Sequence, residues 1–298
     1  MSRVNTNLGG TSIRLRPGIA KPLPKALLSF DVEEFDLPGE YGQGNLPSEE
    51  TQIDVGTRGL TAVLELLDRT GVRATFFTTA VFAAARPEMI RRIAESPLRH
   101  EVASHGWSHS SFEERDLLRS RVALQQITGK PVTGFRRARF GEFDRRALAA
   151  AGYRYDSSDN PIWLPGRYNN FKKPRTAYRL GDLGSEGVTI LPVSASPLVR
   201  YPLFWLSFKH SPMALYRLAS QWVLREDGYL NIFFHPWEFT SLKGFKIPFV
   251  VRRRAGEKMV ARLEAYLLWL KERADFDTLA DFAVRWENQQ ALSLFKKS

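Results

Sequence analysis

Two of the five histidines stand four residues apart in Ser104-His105-Gly106-Trp107-Ser108-His109. On one turn of a helix, or in a tight turn that enters a helix, this spacing lets both imidazoles face one ion. The pair alone is a weak signal, because packing in a core explains such pairs about as often. A carboxylate that joined the two imidazoles would leave positions open for water and substrate, as in a catalytic zinc-type site.

Two carboxylates follow the first apolar run of the chain, residues 26–30. Asp31 and Glu33 stand two apart, so in a strand they share one face of the sheet while Val32 points to the other. Taken alone, they are better explained by a solvated acidic turn. The C-terminal ends of parallel strands meet at one edge, however, and there both acids would reach a common cavity with the histidines.

Two further strand ends bear side chains that could take part in chemistry. His235 follows the apolar run 229–234 and could protonate a leaving amine, although a lone histidine at such a position is more often structural. Arg136 ends the run 133–136, where its guanidinium could hold a carboxylate in a fixed orientation. A metal site, a spare carboxylate that takes a proton from water and a histidine acid together meet the requirements of amide hydrolysis.

The elements that must position these residues alternate along the chain. Hydrophobic periodicity predicts a helix that ends at Gly71 and the following further elements: strands at 26–30, 73–78, 101–104, 133–136, 153–156, 188–193 and 229–234, and helices at 87–95, 113–128, 147–151 and 257–271. This alternation predicts an α/β fold with a parallel sheet, either doubly wound or closed as a barrel. Seven prolines interrupt residues 160–221, which we expect to form a long excursion with a strand only at 188–193.

Composition narrows the classes of protein. The chain has 298 residues, of which 43% are hydrophobic and 25% charged, so it can bury a full core. It has no cysteine, which excludes disulfides, thiolate metal sites and cysteine nucleophiles. The net charge of +11 favours an anionic partner. No nucleic-acid-binding module is recognisable, so we expect no nucleic acid to bind.

The organisation of the chain follows from the same patterns. Glycines and prolines interrupt residues 1–24, which we expect to form a tail, and residues 25–298 are predicted to form a single domain. Neither a secretory signal nor a membrane-spanning run of apolar residues is recognisable. We therefore expect a cytoplasmic protein.

In this order, the motifs resemble those of the polysaccharide deacetylases of carbohydrate esterase family 4, which share the NodB homology domain. The likeness covers residues 26–240 and implies a distorted parallel (β/α) barrel of NodB-homology type, here with additional C-terminal helices. The Asp-Val-Glu sequence at residues 31–33 resembles a divergent branch of that family.

The resemblance implies a divalent metal ion, with zinc favoured over cobalt or nickel. The family motif His-Ser/Thr-x-x-His matches His105 and His109. The family usually has adjacent aspartates, whereas here the second acid lies two residues after the first. Glu33 is therefore the expected third metal ligand, and Glu34 is its rival.

The resemblance also implies how water is activated. Asp31 matches the catalytic base, and the motif Arg-x-Pro-x-Tyr resembles residues 136–140. Arg136 would orient Asp31, and the backbone N–H of Phe140 would bind the oxyanion. Ala138 replaces the proline of this motif.

The remaining family motifs imply an acid and a substrate groove. Phe233 and His235 resemble the motif Leu-x-His, with His235 as the general acid and Phe233 beside the acetyl methyl group. Asp156 resembles a carboxylate that tunes the acid, and Trp163 an apolar wall of the groove. Trp237 is a further candidate for contact with substrate.

The resemblance implies removal of the N-acetyl group from an amino sugar in a polysaccharide, peptidoglycan-type or lipid-linked glycan. A metal-dependent amidohydrolase of a small cyclic amide or imide is the alternative enzyme. A non-catalytic glycan-binding or membrane-surface protein is the third alternative. The aromatic run 200–210 has basic ends and could touch an anionic membrane on its cytoplasmic face, or it could pack in the core. The sequence leaves the oligomeric state open.

Overall fold

The fold is described from a computed structural model that covers residues 22–42, 46–164, 168–181 and 187–295. Most of the predicted tail, residues 1–21, lies outside the described residues. Residues 22–24 lead directly into the first strand. The division into a tail and a single domain stays a prediction.

Short strands and longer helices alternate through the described residues. The strands are β1 Lys25–Val32, β2 Thr75–Thr78, β3 Glu101–Ser104, β4 Gly134–Phe135, β5 Tyr155–Asp156, β6 Trp163–Leu164, β7 Tyr168–Asn169, β8 Tyr178–Leu180, β9 Val188–Ile190, β10 Tyr229–Phe234 and β11 Asp275–Asp277. The helices are α1 Leu37–Glu40, α2 Glu49–Thr70, α3 Ala80–Ala85, α4 Pro87–Glu95, α5 Arg115–Thr128, α6 Arg146–Ala150, α7 Trp205–His210, α8 Met213–Asp227, α9 Phe249–Arg252, α10 Glu257–Lys271 and α11 Leu279–Phe295. Single 3₁₀ turns occupy Ala138–Phe140 and Pro236–Phe239.

A curled sheet that is mainly parallel forms the centre of the fold. Its strands follow the order β10-β1-β2-β3-β4-β5-β9-β8, and β11 pairs with the start of β1. All neighbours in this order are parallel except β8 and β9. The predicted α/β fold with a curled, mainly parallel sheet is confirmed.

One backbone hydrogen bond and the side chain of Asn231 join the end of β9 to β10, although these two strands are not paired in the sheet. The backbone N–H of Ser194, beyond the end of β9, donates to the carbonyl oxygen of Asn231 in β10 at 2.8 Å. The Asn231 amide nitrogen donates to the carbonyl oxygens of Leu191 at 3.2 Å and Pro192 at 3.1 Å. It also lies 3.2 Å from Oγ of Ser157.

Local sequence explains the elements that hold the site. Seven of the eight residues of β1 are buried, as its continuous apolar run predicts. Ser48 caps the start of α2 by accepting a hydrogen bond from the N–H of Thr51, and Gly71 ends the helix at a φ of 62°. At Gly59 a Cβ atom would lie 1.8 Å from the carbonyl oxygen of Pro236, so glycine is required for α2 to pack beneath Pro236–Phe239.

The prediction of a long excursion over residues 160–221 was wrong in part. The segment contains α7, most of α8 and three short strands besides β9. Helix α8 buries a stripe at helical spacing, from Tyr216 to Leu224, and ends at Gly228 with a φ of 74°. Its periodicity was masked by the prolines before it, of which Pro212 is the N-cap residue itself.

The interpretation of residues 200–210 as a membrane-contacting run is also not supported by the burial of its aromatic side chains. Phe204, Trp205 and Phe208 are at most 7% exposed, so this run packs in the core. Among the described residues, no helix is both long enough and apolar enough to cross a bilayer.

Candidate functional site

Three buried side chains meet at the C-terminal ends of β1 and β3. The Nε2 atoms of His105 and His109 each lie 3.2 Å from Oε2 of Glu33. One ligand atom from each of the three residues lies within 4.8 Å of the others. The structure therefore brings together the three residues expected to hold a metal ion.

The ligand atoms are oriented by hydrogen bonds from behind. Nδ1 of His105 lies 2.8 Å from the carbonyl oxygen of Arg136, and Nδ1 of His109 lies 2.9 Å from Oδ1 of Asp36. The indole N–H of Trp237 donates to Oε1 of Glu33 at 3.1 Å. Such partners fix the ring tautomers and leave both Nε2 lone pairs directed at the site.

The second carboxylate oxygen of Glu33 supplies the test of metal fit. Glu33 Oε2 is buried and has no hydrogen-bond partner among the described residues, although it faces both imidazoles. An unsatisfied buried oxygen is costly unless a cation occupies the position in front of it. Two imidazoles and a carboxylate are the donor set of open zinc-type sites, so the residues fit such an ion.

Charge interactions shift pKa values within this cluster. Burial raises the pKa of Glu33, but the neighbouring imidazoles, that of His109 first, lower it well below its usual range. Burial lowers the pKa of His109, whereas Glu33 and Asp36 raise it to about 9. The carboxylate is thus held in its charged form, as a metal ligand must be.

The carboxylate of Glu34 is bound by groups other than the two imidazoles. Its Oε2 accepts a hydrogen bond from Oγ1 of Thr79 at 2.5 Å, and its Oε1 accepts one from the backbone N–H of His109 at 3.4 Å. Burial raises the pKa of Glu34 despite these bonds. The structure therefore brings Glu33, and not its rival Glu34, to the ligand cluster.

A fully buried arginine clamps the spare carboxylate. Nη1 of Arg136 donates to Oδ1 of Asp31 at 2.7 Å, and the other oxygen of Asp31 lies 4.0 Å from Nε2 of His105. Both remaining nitrogens of the guanidinium donate to Ser157, and Nη1 also donates to Ser29. Because every nitrogen is engaged, the orientation of Asp31 is fixed beside Glu33, His105 and His109.

The histidine at the end of β10 is held by a carboxylate on its own turn. Oε1 of Glu238 lies 3.2 Å from Nδ1 of His235 and accepts a hydrogen bond from the His235 backbone N–H at 3.0 Å. Nε2 of His235 lies 4.0 Å from Oε1 of Glu33. Burial lowers the pKa of His235, but Glu33 and Glu238 raise it above its ordinary value.

The loop after β4 differs in one respect from its expected role. The backbone N–H of Phe140 donates to the carbonyl oxygen of Arg137 at 3.0 Å, so this amide is not free to bind an oxyanion in the structure. Arg139, a central residue of this turn, has a positive φ of 58°, and Phe140 has one of 53°. The ring of Phe140 lines the cavity instead.

Asp156 supports this loop rather than the histidine acid. Its carboxylate accepts hydrogen bonds from Nε of Arg145 at 2.7 Å and from the side chain of Ser158. Oγ of Ser158 in turn accepts from the backbone N–H of Arg137 at 2.8 Å. Burial raises the pKa of Asp156. Glu238, not Asp156, is the carboxylate that contacts His235.

The loop between the two ligand histidines depends on glycine. Gly106 has a φ of 92°, a conformation that favours glycine over the hydroxyl residue of the family motif. Its N–H donates to Oγ of Ser104 at 3.2 Å, and its carbonyl oxygen accepts from the N–H of Ala80. The adjacent serine thus supplies a hydrogen bond to this turn.

A small cavity of about 50 Å³ opens onto the ligands. Asp31, Phe233, His235 and Trp237 line it, and so do residues not expected from the sequence, among them Phe204, Trp205 and Arg139. Trp163 does not line the cavity; it is 60% exposed in the two-stranded sheet of β6 and β7. The structure therefore does not bring Trp163 to the cavity with the other predicted residues.

A wider groove of about 720 Å³ adjoins the small cavity, and Glu40 and Arg139 line both. Carboxylates dominate its polar lining, which includes Glu34, Asp36, Glu49 and Glu50. The small cavity at the cluster is thus much narrower than the groove beside it.

Comparison with protein families gives a match for the central part of the chain. Residues 51–155 match the family model described as polysaccharide deacetylase. The matched segment contains His105, His109 and Arg136 but ends before His235 and begins after Asp31. A curated relative, an uncharacterized 30.6 kDa protein of Geobacillus stearothermophilus, is 30% identical over 104 residues. That match spans 31% of this chain and 38% of the relative.

Solved structures share the fold over nearly the whole chain. A putative polysaccharide deacetylase from Mycobacterium smegmatis has a TM-score of 0.60 at 19% identity, with 92% of this chain and 94% of the other covered. A probable polysaccharide deacetylase from Pseudomonas aeruginosa PAO1 has a TM-score of 0.60 at 18% identity over 91% and 96% of the two chains. PuuE allantoinase has a TM-score of 0.61 at 17% identity over 91% and 95%.

Proposed function

Because residues 51–155 belong to the polysaccharide deacetylase family, we propose that this chain is a metal-dependent hydrolase that removes the N-acetyl group from an amino sugar, releasing acetate. The observation that carries the proposal is the convergence of Glu33, His105 and His109 beside the Asp31–Arg136 pair. The amino sugar belongs to a polysaccharide, a peptidoglycan-type glycan or a lipid-linked glycan.

Glu33, His105 and His109 would hold the divalent metal ion, with zinc favoured and cobalt or nickel as alternatives. When bound, such an ion polarises a carbonyl group and makes water more acidic. The chain's own residues perform the proton transfers around that ion.

Asp31 acts as the general base. It lies beside the ligand cluster but is held by Arg136, so it can take a proton from water instead of acting as a ligand. The water oxygen then attacks the amide carbon, and the carbonyl oxygen becomes negatively charged. The Phe140 amide could assist there only if its bond to Arg137 opened.

His235 acts as the general acid. Glu238 holds Nδ1, so Nε2 is directed into the cavity, where the departing nitrogen would lie. Transfer of its proton to that nitrogen completes the cleavage of the C–N bond and releases a free amino sugar. The aromatic rings of Phe233, Phe140 and Trp205 wall the space around the acyl group and exclude water.

The cavity size favours a projecting acetyl group over a cyclic amide that must enter whole. About 50 Å³ is small against the 300 Å³ or more typical of small-molecule pockets, whereas the adjoining groove has about 720 Å³. The cyclic-amide hydrolase remains the second candidate because the allantoinase shares the fold. A purely binding role is disfavoured, since candidate base, acid and ligand positions are all occupied.

Elemental analysis of the purified protein, combined with acetate release from a panel of N-acetylated glycans, nucleotide sugars and lipid-linked sugars, tests the proposal. We expect one equivalent of a divalent metal and release of acetate from at least one acetylated substrate. Hydrolysis of cyclic amides or imides without acetate release would select the second candidate. Binding of glycans by metal-loaded protein with no turnover of either class would select the non-catalytic one.

A further inference from the structure

A basic segment with exposed apolar side chains follows the last turn of the site. Residues 243–258 contain six basic residues and one acidic residue, Glu257. Residues 243–244, Phe249 and residues 252–258 line one groove of about 860 Å³, so the two ends of the segment lie on one surface. We refer to the exposed residues of 243–258 as the basic-apolar surface.

The positive charges of this surface are not neutralised by the protein. Five of its basic side chains are exposed, and none is paired with a carboxylate in the described ranges: Lys243, Lys246, Arg252, Arg253 and Lys258. Some arginines elsewhere are paired with buried carboxylates, as Arg145 is with Asp156 and Arg175 is with Asp227. The unpaired cations are therefore free to attract an anionic partner.

Helix α9 holds two apolar side chains in solvent. Phe249 is 65% exposed and Val250 is 50% exposed, whereas the next residue, Val251, is 1% exposed. The carbonyl oxygens of Val250 and Val251 are bound by His210 Nε2 at 2.7 Å and Lys209 Nζ at 2.9 Å. These bonds fix α9 on the buried helix α7, so Phe249 and Val250 cannot turn inward.

The surface is tied to the walls of the catalytic cavity. The ring of Phe245 packs on Phe35 at a centroid distance of 4.9 Å, and Phe35 packs on Trp237 at 6.1 Å. Trp237 lines the cavity and holds Glu33. A partner seated on residues 243–258 would therefore lie beside the site.

We propose that the basic-apolar surface docks on an anionic lipid bilayer. Nucleic acids offer phosphates but no apolar phase, whereas a bilayer offers anionic headgroups together with an interface that accepts Phe249 and Val250. The mixture of unpaired cations and fixed apolar side chains matches both features. This inference replaces the aromatic run 200–210 as the membrane contact, and it does not depend on the proposed hydrolysis.

Sedimentation of the full chain with vesicles tests the proposal. The probes are phosphatidylcholine vesicles with and without phosphatidylglycerol, at low and high salt. We expect binding to the anionic vesicles that weakens as salt rises, and little binding to phosphatidylcholine alone. Absence of binding to anionic vesicles at low salt, or equal binding to both vesicle types, would overturn the proposal.

Variants assign the binding to this surface. R252Q/R253Q should weaken vesicle binding about 20- to 30-fold, since each cation near the membrane counts for roughly a factor of five. F249S should also weaken it. The controls R91Q/R92Q, an adjacent arginine pair exposed on α4, and L292S, at a residue 61% exposed on α11, should bind as the parent does.

Two results from these variants would contradict the proposal. One is equal loss of binding in the control variants, which would indicate that net charge alone drives binding. The other is binding of duplex DNA at least as tight as that of vesicles, lost in R252Q/R253Q but kept in F249S, which would identify a polyanion partner. Thermal denaturation of each variant confirms that it is folded.

Discussion

Lys209 and Glu238 form an ion pair in which neither side chain has any exposed surface, with Nζ and Oε2 3.2 Å apart. The other oxygen of Glu238 holds His235, and Nζ of Lys209 also donates to the carbonyl oxygen of Val251. Helix α7 thereby reaches the histidine at the end of β10 through a single carboxylate. A buried pair of this kind is costly to break but is not by itself a source of stability.

Removing the cation of this pair should damage both stability and turnover. In K209M the carboxylate of Glu238 remains buried without its cation, so we expect the free energy of unfolding to fall by about 3–5 kcal/mol. The double variant K209M/E238Q should recover much of that loss but not kcat for acetate release, because a neutral amide holds His235 less firmly. Chemical denaturation and kinetics measure the two effects.

Lys173 provides the matched control for K209M. It also pairs with a buried aspartate, Asp159, but that carboxylate is bound by Arg145 as well, and the lysine is partly exposed. K173M should therefore cost about 1 kcal/mol or less. If K209M/E238Q regained stability together with full kcat, Lys209 and Glu238 would have a purely structural role.

The two adjacent glutamates should differ in their effect on metal binding. E33Q replaces a charged ligand by a weakly coordinating amide, and we expect loss of most bound metal and of activity. E34Q keeps a hydrogen-bonding partner for Thr79 and should retain the metal, since the carboxylate of Glu34 is bound by groups other than the two imidazoles. Elemental analysis of both variants after dialysis is the measurement. Retention of metal by E33Q with loss in E34Q would reverse the assignment.

Substitutions at Asp31 and Arg136 should lower turnover without releasing the metal. D31N should lower kcat by on the order of 10² or more, because the amide cannot take a proton. R136K cannot reproduce the four hydrogen bonds of the guanidinium, and the resulting displacement of Asp31 should lower kcat about 10- to 100-fold. Metal content should stay near the parent level in both. Full turnover by D31N would remove Asp31 from the mechanism.

Stability should fall in mild acid because of a histidine outside the site. Burial, with a contribution from Arg73, lowers the pKa of His100 from its ordinary value of 6.5 to about 4. The unfolded chain therefore binds this proton first, and stability is lost as the pH falls from about 6.5 to about 4, by up to roughly 3 kcal/mol.

The structure gives the reason, since Nδ1 of His100 accepts a hydrogen bond from the N–H of Ala74 and cannot accept a proton without losing it. H100Q should remove this part of the pH dependence. Urea denaturation of parent and variant at several pH values measures the difference. Parallel stability curves for the two proteins between pH 6.5 and 4 would contradict the assignment.

Local patterns were sufficient to predict the elements that carry the site. The strands predicted at 101–104 and 229–234 coincide with β3 and β10. The helix predicted at 87–95 coincides with α4. Each run is bounded by residues with clear local signals, such as Pro87 at the start of α4. Functional groups at strand ends were predictable because parallel strands bring those ends to one edge.

Contacts between distant segments could not be predicted in this way. Asp36 orients His109 across 73 residues, and Lys209 reaches Glu238 from a helix hidden within a proline-rich stretch. Asp36 lies close to Asp31, Glu33 and Glu34 in the sequence, but this spacing does not indicate which carboxylate contacts which histidine. The engaged amide of Phe140 depends on positive φ values that the residue types there do not favour.

The contacts that close the barrel affect how substitutions at Asn231 should be interpreted in a mutational screen. The Asn231 amide nitrogen, which donates to the carbonyl groups of residues 191 and 192, also donates to Oγ of Ser157. The same oxygen accepts a hydrogen bond from Arg136, which binds Asp31. Oγ of Ser157 thus contacts both the side chain that joins β9 to β10 and the arginine that orients Asp31. A substitution at Asn231, which does not line the cavity, would therefore lower catalytic activity.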